Sequence, residues 1–175
     1  MTAPDYTNHP PCIACGAFDA EVELFGETKT YGIREFGEGH TFCYWCYYTG
    51  RGYSFVHAPL IAECRKLGID LTVVHTGGGC QNFRVVIDPN PPTDDDEHCT
   101  DVLLGDAIDP IAETFLGICI NHGDDYAEEW THDAEQRFPA PPAGDTRTNQ
   151  TVAQWMHRVV TAIRYDLDAR KFSDA

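Results

Sequence analysis

The 175 residues predict an α+β fold: a small metal module leading into an antiparallel sheet, closed by a long amphipathic helix. Three observations carry this. Cysteines occur as two CxxC pairs, Cys12/Cys15 and Cys43/Cys46. Two β-branched runs flank the glycine turn Thr76–Gly79. Near the C-terminus, Val152, Trp155, Met156, Val159, Ile163 and Leu167 recur at helical spacing.

The paired cysteines come first in the chain and limit its chemistry most. Two residues between cysteines let both thiolates of one turn face a single ion, and two such turns close a tetrahedron. Cys12, Cys15, Cys43 and Cys46 are therefore expected to hold one structural ion, zinc or, with the same donor set, iron. A complete thiolate set leaves no protein position open for catalysis. His40, three residues before Cys43, is a spare ligand candidate that the complete set makes unnecessary. Gly16 supplies a permissive backbone after the first pair, whereas Tyr47 follows the second. Glu21–Phe25 and Thr30–Phe36 read as short extended pieces between the pairs. On these residues the segment from about Pro11 to Gly50 resembles zinc ribbons and rubredoxin-like four-cysteine sites. The two extended pieces themselves place the four cysteines at loop ends flanking strands.

Tyr44, Trp45, Tyr47, Tyr48 and Tyr53 crowd the second pair. Stacking platforms for nucleic acid combine such rings with a positive groove, and only Arg51 is close by. Packing of the metal module, residues 1–58, onto the remainder, residues 59–175, is the expected use.

In the second part, Pro59–Leu67 reads as a short helix with Pro in its first turn, Leu60, Ile61, Cys64 and Leu67 on one face, and Gly68 as its stop. Ile69–His75 and Cys80–Ile87 form the hairpin around the glycines, and Val102–Ile108 a third strand. Phe115–Ile120 fits either a helical stripe begun at Asp109 or a fourth strand, and the strand is preferred. Asp125–Phe138 suits a short acidic helix and Pro139–Gly144 a stiff loop. The last helix spans residues 149–171, capped by Thr148 or Asn149, with Gln154, Arg158, Thr161 and Asp168 outward. The His75-Thr76-Gly77-Gly78-Gly79-Cys80 turn and the strand rhythm to about Gly123 resemble small uncharacterised proteins of actinobacterial bacteriophages. That resemblance implies no activity.

Net charge is −16, concentrated in one segment. Between Asp88 and Asp145 stand 16 acidic residues and one basic, Arg137, leaving 12 acidic against 11 basic elsewhere. Such a field repels nucleic acid and anionic lipid and favours a protein with a basic surface. Asp94-Asp95-Asp96-Glu97 lacks the glycine an EF-hand loop requires. No apolar run approaches the roughly 18 residues of a membrane span, and Met1–Tyr6 lacks the basic and apolar regions of a signal peptide. The cytoplasm is the expected compartment, the host's if the protein is phage-encoded.

Two other chemistries are open to these residues. His75 and Cys80 flank a glycine turn whose amides can face an anion, so a thiol or metal-dependent enzyme centred on that pair is the alternative to a non-catalytic interaction protein. No third orienting group is identifiable. His98, Cys99, Cys119 and His122 are candidates for a second metal site, at irregular spacing. A nucleic-acid-binding ribbon is the second alternative, opposed by the charge.

Overall fold

Period-two alternation of inward residues builds the sheet. Leu71 and Val73, then Gln81, Phe83 and Val85, then Thr100, Val102 and Leu104, then Ile118 and Ile120, are all buried. The computed structural model describes residues 11–17, 19–24, 27–32, 34–36, 40–77, 80–88, 100–106, 110–111, 116–122 and 125–173. Within them the chain runs β1 (Asp19–Leu24), β2 (Glu27–Gly32), β3 (Arg34–Phe36), β4 (His40–Phe42), α1 (Tyr44–Tyr48), α2 (Arg51–Val56) and α3 (Ala58–Lys66). It continues through β5 (Thr72–Gly77), β6 (Cys80–Asp88), β7 (Thr100–Asp106), β8 (Ile118–His122), β9 (Asp125–Tyr126), α4 (Glu128–Arg137) and α5 (Asn149–Ser173).

Strands β5 to β9 form one antiparallel meander in chain order, while β1–β2 and β3–β4 are separate two-stranded ribbons. The expected α+β architecture is thus observed. In the glycine hairpin Val73 faces Phe83, His75 faces Gln81 and Gly77 faces Cys80, with an irregularity between His75 and Gly77. The ambiguous stretch is a strand from Ile118 onward, paired with β7 from Leu104↔Ile118 to Thr100↔His122. Asp109 and Phe115 lie outside the described residues.

Helix α5 covers the inward face of the sheet. Its predicted stripe is buried at Val152, Trp155, Met156, Val159 and Ile163, and Ala153 and Val160 widen it. Gln154, Arg158 and Thr161 face out. The helix begins at a reciprocal cap, in which Thr151 N–H donates to Thr148 Oγ1 (3.2 Å) and Thr148 N–H donates to Thr151 Oγ1 (2.8 Å). Trp155 is fully buried, and its indole N–H donates to the Phe138 carbonyl at 2.9 Å. Both halves of that amphipathic ring are therefore satisfied, and truncating it would remove about 3–5 kcal/mol from a total of roughly 5–15.

Helix α3 packs on α5, bringing Cys64 Sγ to 3.8 Å from Met156 Sδ across 92 residues of chain. It ends in a left-handed glycine: Gly68 (φ 76) N–H reaches the Arg65 carbonyl and Ile69 N–H the Cys64 carbonyl. Leu67, expected on the apolar face, is instead 36% exposed, because that turn carries it out and lets Ile69 (2%) fill the core.

Helix α4 covers the β8 flank of the sheet. Thr131 Oγ1 accepts from Ile120 N–H at 3.0 Å, and Glu135 Oε1, one turn on, from Ile118 N–H at 3.4 Å. Two residues apart on a strand matches four apart on a helix closely enough for both amides to be answered. A covered strand flank offers no free ladder to another chain. The loop after α4 is tied down by Arg147, 4% exposed, whose guanidinium donates to the Pro141 carbonyl.

Two outcomes follow for stability. Thr131→Val keeps the shape of the side chain but leaves the Ile120 amide unanswered, so chemical denaturation should show a loss of about 1–3 kcal/mol. Cys64 is fully buried, and burial, helped by the Glu63 charge, pushes its thiol from 9.0 up to about 12. The unfolded thiol ionises first, so this contribution is complete below pH 9 and is lost as pH rises toward 12. Stability of Cys64→Ala should accordingly fall less steeply over that window than that of the parent.

Candidate metal centre

The first CxxC lies in a turn closed by Gly16 N–H to the Cys12 carbonyl at 2.8 Å. Gly16 adopts φ 75 with open space around it, a backbone conformation that favours glycine. Ile13 N–H donates to the Thr41 carbonyl at 3.0 Å, which fastens this turn to β4. Strand β4 then delivers Cys43 in extended conformation (φ −71, ψ 158) as the N-cap of α1, and Cys46 N–H points at Cys43 Sγ at 3.4 Å. The second pair therefore opens a helix, which corrects the expectation that all four cysteines sit at loop ends flanking strands.

That difference explains Tyr47. A helix needs no left-handed residue directly after its second ligand, so the position is free to carry a buried ring. The left-handed residue falls instead at Gly50 (φ 70), between α1 and α2, where a Cβ would stand 2.2 Å from the Val73 carbonyl oxygen of β5. Gln81, fully buried on β6, donates its amide to the Tyr47 carbonyl at 3.2 Å. These contacts hold α1, which carries Cys46, against the sheet. Neither residue carries a motif; the only signal for Gln81 was its inward position in the alternation Gln81, Phe83, Val85.

The four sulfurs of Cys12, Cys15, Cys43 and Cys46 lie within 4.8 Å of one another, and Cys15 and Cys43 are 3.7 Å apart. Sulfurs bound at about 2.3 Å to one tetrahedral ion stand about 3.8 Å from each other, so the set fits a single metal ion. Cys12, Cys43 and Cys46 are buried and Cys15 is exposed. Burial opposes ionisation of Cys12, but donation from the backbones of Cys43, Ala14 and Cys15 brings its thiol down to about 7. Burial raises Cys43 and Cys46, and for Cys46 the neighbouring thiols and the charge on Cys12 add to it. Four sulfurs this close resist ionising together. A divalent cation removes that resistance, since a coordinating thiol is deprotonated outright.

The other candidates fall elsewhere. His40 packs near the rings of Phe42 and Tyr53, at centroid distances of 6.1 and 6.5 Å, and is not in the metal-ligating group. His75 is half-buried against Tyr47 (5.7 Å) and Tyr48 (4.8 Å). The side chain of Cys80 lies outside the described residues, as do His98, Cys99 and the side chain of His122. Cys119 is half-buried on β8, its thiol raised by burial and by Asp101 and Glu135.

Of the aromatic cluster, Tyr47 and Tyr53 are buried, whereas Trp45 is 57% and Tyr48 45% exposed. Ile13, the apolar residue inside the first CxxC, is 38% exposed as well. Among the described residues no helix is long and apolar enough to cross a membrane. No protein-family model, curated protein or solved structure matches the chain.

Elemental analysis of the natively purified protein is expected to give one metal ion per chain, lost when Cys43→Ser and Cys46→Ser are combined. Retention of the metal in that double variant would place it elsewhere. Gly50→Ala combines left-handed strain with a backbone collision, whereas Gly68→Ala meets open space at φ 76. The second should lose about 1–2 kcal/mol in denaturant unfolding and the first clearly more.

Proposed function

We propose that this chain is a non-catalytic, zinc-stabilised interaction protein whose acidic surface engages a partner with a basic surface. The observation that carries the reading is the closed ligand set: four thiolates within 4.8 Å of one another complete a tetrahedral shell without a substrate. Sites of that kind contribute folding free energy, and chemistry needs an open position.

The charge distribution supports the second half. Of the four acidic residues of α4, Glu128, Glu129 and Asp133 are exposed and Glu135 is half-buried, and Arg137 is the single basic residue between Asp88 and Asp145. Asp94–Glu97 lie outside the described residues. Resemblance of the His75–Cys80 turn to bacteriophage proteins would make the partner a host or phage protein.

Purification of the tagged chain from its native cell supplies the partner, and titration with that purified partner supplies the test. Association should weaken steeply with salt and fall when Asp94, Asp95, Asp96 and Glu97 become their amides, with folding unchanged. Equal affinity of the amide variant at all salt concentrations would remove the docking role of that stretch. Tighter association of the variant with duplex DNA, at nanomolar strength, would favour a nucleic-acid-binding module instead.

A further inference from the structure

Helices α4 and α5 part to leave a cleft of about 190 Å³, below the roughly 300 Å³ at which pockets begin to take drug-sized ligands. Its floor is apolar, formed by Ile120, Ala134, Ala162 and Ile163, and Trp130 and Phe138 line it further. Its rim is charged. Glu129, Asp133 and Asp166 stand against a single cation, Arg137, so the lining carries a net charge of −2. Arg137 is already engaged, at 2.9 Å from Asp133 and 2.8 Å from Asp166, and its guanidinium lies 5.3 Å from the Phe138 ring centre. Among the described residues Glu129 makes no ion pair.

An apolar floor under an acidic rim matches one kind of group, a long alkyl stem ending in a cation. Such side chains lay their methylenes on apolar surface and keep the charged head at the water boundary. The volume is enough for one of them. We propose that the α4–α5 cleft seats a single Lys or Arg side chain of the partner protein, with its stem on Ile120 and Ile163 and its head beside Glu129 and Asp133. This rests on the reading that the partner is basic, and it names the place where that partner's anchoring residue enters.

The test uses the full, metal-loaded chain, isotopically labelled, titrated with end-blocked Gly-Lys-Gly and Gly-Arg-Gly peptides and followed by NMR. Saturating shifts are expected at the Trp130 indole and at the amides of Ala134 and Ala162. Glu129→Gln, an exposed change that leaves packing alone, should weaken binding up to about fivefold. Ala162→Leu, which fills the cleft, should abolish the shifts while the rest of the spectrum stays dispersed. Equal binding of a norleucine peptide, or of putrescine at the same site, would overturn the proposal, the first because charge is then irrelevant and the second because no protein side chain is required. Shifts that gather at residues 94–97 would overturn the cleft but leave a basic partner standing. Absence of binding by either basic peptide anywhere on the chain would overturn both.

Discussion

Four cysteine sulfurs drawn from two turns 28 residues apart in sequence lie within 4.8 Å of one another, close enough together to hold one metal ion. Without a cation the arrangement is electrostatically self-limiting. Cys12 ionises readily, and its charge then helps hold Cys46 in the protonated form. One bound ion would convert mutual repulsion into four bonds. A free energy of roughly 10–16 kcal/mol is typical of structural zinc in small modules, comparable with the whole stability of a domain. Short ribbons such as β1–β2 and β3–β4 are marginal in water by themselves, so a metal bound at the four cysteines would be the strongest term available to order this region.

The order so created is passed on through a few close contacts. Phe42 lies so near α2 that a Cβ on Gly52 would meet its ring at 2.7 Å, and Gly50 brings the backbone against Val73. Tyr53 then stacks with His57 at 6.1 Å, and His57 meets Phe83 at 5.5 Å, so a line of rings leads from the module into the sheet. Buried side chains form one cluster from Cys12 to Ile163. Ile120 and Ile163 of that cluster also line the α4–α5 cleft, together with the acidic Glu129, Asp133 and Asp166. In the proposed function a metal held by the four cysteines would supply rigidity and the α4–α5 cleft recognition.

Much of this was legible in the chain, and the physics says which parts. The CxxC spacing marked the four cysteines that the fold brings together, because coordination geometry is local to each turn. The runs Ile69–His75 and Cys80–Ile87 declared their strands as β-branched segments on either side of three glycines, and α5 declared its inward face through Trp155, Met156 and Val159. What could not be read was anything fixed by contact between distant segments. The helical start at Cys43 depends on a sulfur cap and on packing against β5, and neither is encoded in a CxxC pair. Strand β9 is two residues long and exists by pairing with β8. Leu67 kept the helical spacing yet was turned outward by Gly68, a reminder that a stop signal overrides a periodic one in the last turn. The cleft was invisible because its rim joins Asp133 to Asp166, residues that only the α4–α5 packing brings together.

The claim on which all of this rests is that one metal ion holds the two cysteine turns and, through them, α1 against the sheet. Hydrogen exchange on the full chain, with and without a strong chelator, measures that directly. Removal of the metal should speed exchange at Ile13, Cys46, Tyr47 and Thr49 by orders of magnitude, while amides in the core of α5 such as Val159 and Val160 keep most of their protection. Equal protection of Ile13 and Tyr47 in the metal-loaded and chelated protein would contradict the account.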